Sequence, residues 1–206
     1  SMQAGFDGVQ IHAAHGYLVN QFLSAHVNKR EDKWGGSLEN RMRLLMEVYD
    51  EVRGRVGNVP VLVKMNSDDF SENGVTIDES VITAKTIAAK GIDLIEISGG
   101  GRDRRTDLRA RAKTPDYPEL DFGGHAVKLR EATKPTPMGL VHGYTTLETM
   151  EKTVEVDLTD MVSLSRPFIR EPDLVQKLRK GEELTCIRCD ACRANFGTAM
   201  MQCLLD

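Results

Sequence analysis

Short apolar runs rich in β-branched residues recur at residues 6–11, 59–65, 93–97, 138–141 and 161–164. They do not alternate with polar positions, so the pattern predicts strands buried on both faces, as in a parallel sheet. Between them lie segments with apolar residues at helical spacing, which predict helices over 38–55, 78–90, 124–133 and 146–154. Ser37 is placed to cap the first of these, and Asp78 to cap the second ahead of Ser80 and Val81. Such strand and helix alternation predicts parallel strands joined by right-handed crossovers.

An open doubly wound sheet and part of a closed barrel share this alternation. No G-x-G-x-x-G follows the first strand, which removes the main support for a dinucleotide-binding sheet. Polar residues instead sit at the C-terminal ends of successive strands: His12 and His15, Lys64, Ser98 to Gly101, His142-Gly143 and Ser165-Arg166. That distribution is the catalytic face of a barrel. The expected fold is therefore α/β, a partial TIM (β/α)8 barrel with five of its eight strands, followed by a cysteine-rich loop. The charged stretch 101–119 reads as a solvated loop, with a lid as the alternative.

Composition narrows the partners. With 28% charged residues, a net charge of -4 and basic residues interspersed among acidic ones, the chain lacks a phosphate-backbone footprint, so no nucleic acid is expected. Its longest apolar runs fall far short of the roughly 20 residues a bilayer requires, so no membrane is expected. No signal peptide is legible, and the expected location is cytoplasmic. Ser1-Met2 leads almost directly into an apolar strand, which reads as a cloning remnant ahead of a start inside a folded unit.

The motif HAAHGY carries the most specific chemistry. At a strand end, the turn after His12 can bring His15 and Tyr17 around one space. Two imidazole N–H groups can then bind a carbonyl oxygen and stabilise the charge that develops on it, while a tyrosine hydroxyl supplies a proton. The plain alternative is three hydrogen-bonded loop residues. Lys64, at the next strand end, offers a cation, or else a partner for Asp68 or Asp69. Cys186, Cys189, Cys192 and Cys203 follow the spacing C-x2-C-x2-C-x10-C, which suits a four-iron four-sulfur cluster or zinc, with free thiols as the third possibility.

The stretch AGFDGVQIHAAHGYLVNQFLSAHVNKREDKWGGSLENRMRLL, continued by VLVKMNSDDF, DLIEISGG and MVSLSRPFIREPDL, resembles the Old Yellow Enzyme and 2,4-dienoyl-CoA reductase group over essentially the whole chain. The resemblance implies that residues 1–180 are barrel strands four to eight, and 181–206 a cysteine-rich extension. It implies an FMN enzyme that takes hydride from NAD(P)H and passes it to a small-molecule enone or related acceptor. His12 and His15 become the carbonyl-binding pair, Tyr17 the proton donor and Lys64 the cation beside the flavin pyrimidine. Gly143, Ser165 and Arg166 fall at the flavin phosphate, although His142 and Ser165 replace glycines common in the group. Trp34 and Ala25 are further departures, and Arg30, Asp32 and Arg41 read as loop braces. Two subfamilies carry an iron-sulfur cluster where the four cysteines fall, with a slightly longer final gap. With three strands expected upstream, the polypeptide alone is expected to bind FMN weakly or not at all and to self-associate through open sheet edges. A non-catalytic half-barrel assembly module and a metal-binding electron-transfer module are the other classes in view.

Overall fold

The computed structural model describes residues 1–101, 118–193 and 201–205. Five strands, β1 (Val9–Ala13), β2 (Val61–Asn66), β3 (Leu94–Ser98), β4 (Met138–Val141) and β5 (Met161–Ser163), pair in parallel in the order β1-β2-β3-β4-β5. Sequence neighbours are thus spatial neighbours throughout, and the sheet winds in one direction as a barrel wall does; a doubly wound sheet would reverse beside its first strand. Helices connect them: α1 (Leu18–Leu23) and α2 (Leu38–Val56) after β1, α3 (Ile77–Ala89) after β2, α4 (Gly123–Thr133) after β3, and α5 (Leu147–Glu155) after β4. Two short helices, α6 (Arg166–Arg170) and α7 (Leu174–Arg179), follow β5. The stretch 101–119, read as a solvated loop with a lid as the alternative, lies almost wholly outside the described residues. Among the described residues no helix is long and apolar enough to cross a membrane.

The strand pleat separates two faces. Ile11 and Ala13, Val61, Val63 and Met65, Ile95 and Ile97, and Met138 and Leu140 are buried against Leu45 and Tyr49 of α2, Ala84 and Ile87 of α3, and Ala126 and Leu129 of α4. This layer is the core. The opposite face carries Gln10 and His12, Leu62 and Lys64, Leu94 and Glu96, Gly139, and Met161 and Ser163. Residue partners across the sheet fix that assignment, since His12 pairs with Lys64, Lys64 with Glu96 and Glu96 with Gly139. Among the described residues no helix packs over this second face, and its polar residues line an open bowl.

Helix ends follow local chemistry. The Ser37 side chain accepts from the Asn40 N–H as its position predicts. Asp78, by contrast, lies inside the first turn of α3. Its cap is Thr76, which forms a reciprocal capping box with Glu79 and satisfies two backbone donors where Asp78 would satisfy one. The first strand begins later than the apolar run, at Val9, because pairing starts with the Val9 N–H donating to the Pro60 carbonyl at 3.0 Å. Phe6, counted in that run, is exposed. The expected loop braces are in place: Arg30 pairs with Asp32, which accepts from the Trp34 N–H at 3.0 Å, and Arg41 binds the Gly36 carbonyl at 3.1 Å and Glu79 at 2.5 Å.

Candidate active site at the strand ends

The turn after β1 builds the site. Ala14 accepts from the Tyr17 N–H at 3.2 Å, and the two central residues, His15 at φ 62 and Gly16 at φ 75, are both left-handed. Glycine adopts that conformation freely, whereas histidine does so only when held. The holding groups come from neighbouring elements. Asn66 Oδ1, at the end of β2, accepts from the His15 N–H at 3.2 Å, and Asn20 Oδ1, in α1, accepts from the Gly16 N–H at 2.6 Å. Asn66 and Asn20 are themselves fixed by Asp69 Oδ1, which accepts from their amides at 2.8 and 3.0 Å. Asp69 Oδ2 accepts in addition from the Val75 N–H at 2.9 Å.

The turn brings the three expected side chains together. The His12 ring lies 5.2 Å from that of His15, at 62°, and 5.2 Å from that of Tyr17. Tyr17 is 51% exposed. His15 Nε2 is 2.6 Å from Ser98 Oγ at the end of β3. Burial, then the charge of Lys64 and the neighbouring His12, push the His15 imidazole down to about 4. Burial and Lys64 also lower His12. Both rings are thus neutral near pH 7, each with one N–H to donate.

Lys64 does not pair with Asp68 or Asp69. Its Nζ donates to Glu96 Oε1 at 2.8 Å, because Glu96 is its register partner on β3 and shares its face, while Asp69 is turned into the asparagine network. Glu96 is only 5% exposed and also accepts from Gln10 Nε2 at 2.8 Å. Burial alone would raise its carboxyl; the Lys64 hydrogen bond and charge, helped by Gln10 and Ser163, outweigh burial and hold it below the ordinary value.

A second polar corner joins β4 and β5. Gly143 has φ 114, and a Cβ there would meet the Glu119 carbonyl and lie 2.7 Å from Leu120 Cα. His142 sits at φ 80, a conformation glycine would favour. Its Nε2 accepts from Arg166 Nη2 at 2.7 Å, and Arg166 also pairs with Asp190. Ser165 immediately precedes α6 and makes no side-chain cap. Arg188 reaches in from the cysteine segment, donating to the carbonyls of Glu119 at 3.0 Å and Gly143 at 3.2 Å and to Asp121 at 2.7 Å.

Cys186, Cys189, Cys192 and Cys203 line one pocket with Arg166, Arg170 and Arg188. Among the described residues, no three His, Cys, Asp or Glu side chains are gathered closely enough to hold a metal ion. Cys203 Sγ accepts from Arg170 Nη1 at 3.3 Å; the Leu205 N–H and Arg170 lower its thiol, whereas burial raises that of Cys192.

Glu96, Asn66, Asn20 and Arg188 were not singled out from the sequence as members of the site, and Ser98 was marked only as a polar residue at a strand end. For Glu96 a signal existed, since it is the one charged residue inside the apolar run LIEIS. The asparagines carried none, and the strand-end position of Ser98 did not name its partner, because such roles depend on which strand ends become neighbours.

Comparison with known proteins agrees with this geometry. Residues 1–185 match the model of the NADH:flavin oxidoreductase / NADH oxidase family. The NADPH dehydrogenase of Halalkalibacterium halodurans is 36% identical over 173 residues, covering 82% of this chain and 47% of the relative. The NADH-dependent flavin oxidoreductase nadA of Aspergillus parasiticus is 35% identical over 182 residues, covering 87% and 40%. Among solved structures, a 2-naphthoyl-CoA reductase complex with 2-naphthoyl-CoA superposes with a TM-score of 0.80 at 33% identity, covering 92% of this chain and 29% of that one. The old yellow enzyme homologue of Zymomonas mobilis superposes with a TM-score of 0.70 at 31% identity, covering 91% and 50%. The chain thus spans half or less of the length of these relatives, while the match runs through nearly all of its own. The chain belongs to the NADH:flavin oxidoreductase / NADH oxidase family.

Proposed function

We propose that this chain forms the acceptor-binding side of a flavin-dependent oxidoreductase that passes hydride from NADH or NADPH to an enone or a related activated acceptor. One observation carries the reading: two neutral imidazoles, His12 and His15, converge with Tyr17 at strand ends beside Lys64. Neutral imidazole N–H groups bind a carbonyl oxygen and remain donors as it gains negative charge, which lowers the barrier to attack at the β-carbon. The Tyr17 hydroxyl then gives a proton to the α-carbon. Bound FMN supplies the hydride chemistry.

Lys64, Gly143, Ser165 and Arg166 are the residues that would hold FMN, and they fit it unequally. Lys64 brings a cation to the bowl beside the histidines, with Glu96 orienting it. At the other end, the crowding at Gly143 leaves room only for glycine, which suits close backbone approach to a phosphate. Arg166 already serves Asp190, but that carboxylate is 49% exposed, so a phosphate can replace it at little cost. On this reading β1 to β5 are strands four to eight of the barrel, residues 181–206 form the cysteine-rich extension, and this polypeptide alone binds FMN weakly. The open edges of β1 and β5 then favour a homo-oligomer.

The shared pocket favours a second feature, in which Cys186, Cys189, Cys192 and Cys203 take up a four-iron four-sulfur cluster or zinc after closing together. Iron, sulfide and zinc analysis of anaerobically purified protein separates these from free thiols.

The central reading is tested by following the His12 and His15 ring resonances during titration with cyclohexenone, and flavin fluorescence during titration with FMN. Perturbation of both rings that is lost in His12→Ala, with FMN binding weakened in Lys64→Met, is the expected result. Rings that do not respond to the enone overturn the acceptor site.

A further inference from the structure

We propose that Ser98 is a positioning residue that selects the tautomer of His15, keeping its proton on Nδ1 by donating a hydrogen bond to Nε2. Ser98 ends β3 and is 3% exposed, with Oγ 2.6 Å from His15 Nε2. Two proton arrangements fit that distance. In one, Nε2–H donates to Oγ; in the other, the serine hydroxyl donates to a bare Nε2.

The surroundings decide between them. Ser98 Oγ has no acceptor among the described residues other than His15 Nε2. If Nε2 carried the proton, the serine hydrogen would be buried without a partner, at a cost of about 1 to 3 kcal/mol. With the serine donating, its hydrogen is satisfied and the imidazole proton must be on Nδ1. That nitrogen has no hydrogen-bond partner among the described residues, and it is not among the buried unpartnered atoms. It therefore meets solvent or a ligand.

The backbone explains why the ring cannot choose otherwise. His15 is held in its left-handed conformation by Asn66, so its ring is presented to the end of β3 in one orientation. Nε2 is consequently committed to Ser98, and only Nδ1 can reach an acceptor. The inverse tautomer would offer a carbonyl oxygen a lone pair, which repels it. Three strand ends thus cooperate in one proton position: β1 supplies the ring, β2 its backbone anchor and β3 the hydroxyl.

The consequence for an acceptor carbonyl rests on the function proposed above; the tautomer itself does not. Long-range ¹H–¹⁵N correlation spectra of the histidine-labelled chain at neutral pH, without flavin or acceptor, read which ring nitrogen of His15 carries the proton. The expected result is Nδ1–H in the wild type, a shift of most of the population to Nε2–H in Ser98→Ala, and return to Nδ1–H in Ser98→Thr, which keeps the hydroxyl. An Nε2–H wild type overturns the proposal without using any variant. So does a Ser98→Ala chain in which His15 remains fully Nδ1–H. Failure of enone to perturb the rings would remove the acceptor reading and leave this tautomer assignment standing.

Discussion

Stability should fall on mild acidification because two histidines are buried in their neutral forms. Burial, followed by nearby positive charges, pushes both His15 and His125 down to about 4. In the unfolded chain each binds its proton near 6.5, so between 6.5 and 4 the unfolded state carries protons the folded state refuses, and acid favours unfolding. The contribution is fully present above 6.5, is lost as the pH falls towards 4, and is flat below. One group withholding a proton gives a slope of about 1.4 kcal/mol per pH unit, so the pair gives at most about 2.7. Partial solvent screening reduces this, and a loss of about 2 to 4 kcal/mol between pH 7 and 5 is expected. The lowered carboxyls, Glu96, Asp93, Asp160 and Glu171, act in a different window, because their stabilisation is lost only as the pH falls below about 4. Urea unfolding at half-unit pH steps measures the slope. His125 lies apart from the candidate site, 3.2 Å from Ser67 Oγ and stacked 6.0 Å from Phe70. His125→Gln keeps a polar partner for Ser67 and removes one titration, so it should halve the slope. A flat profile between pH 7 and 5, or an unchanged slope in His125→Gln, refutes the reasoning.

Three further outcomes follow from packing and charge. Lys64→Met leaves Glu96 buried without its cation and should cost about 2 kcal/mol in urea unfolding, most of it recovered by adding Glu96→Gln. Arg130 is buried and joins Asp160 at 2.5 Å to the Asp157 carbonyl at 3.2 Å, so Arg130→Met should lose about 2 kcal/mol, and Arg130→Lys should restore only part because it lacks the fork. Gly143→Ala places a Cβ against Glu119 and Leu120 at φ 114, and should lower stability by about 2 kcal/mol or more, read as a drop in the thermal midpoint.

Parallel strands and their helices were legible because burial on both sides leaves uninterrupted apolar runs, and because Leu38–Val56 and Ile77–Ala89 are long enough for their period to show. The short helices α1, α6 and α7 were not: with five or six residues each, they span fewer than two turns and offer no period to read. The HAAHGY cluster was legible for another reason, since His12, His15 and Tyr17 lie around one turn, and local geometry alone brings them together. Partners across strands escaped. Lys64 meets Glu96 rather than the aspartates four and five positions on, because register partners on one face of a parallel pair lie closer than residues around the bend at a strand end.

Those cross-strand partners explain how a chain about half the length of its relatives can still hold the proposed acceptor site in order. Among the described residues, the groups that shape the HAAHGY turn come from β1, β2, β3 and the segments just after them: Asn20, Gln21, Asn66, Asp69, Ser98 and the Lys64–Glu96 pair. The proposed phosphate corner, built from His142, Gly143, Arg166 and Arg188, is likewise internal, to β4, β5 and the cysteine segment. Between these two groups lies the second face of the sheet, where Gln10 is exposed and Leu62 and Leu94 are half-buried. The groups at both ends of this face are therefore held by contacts within β1 to β5 and the segments that follow them, and on the function proposed above they are the two ends of a flavin site. Affinity for the cofactor should depend on what closes that bowl, whereas the proton positions on His12 and His15 should not.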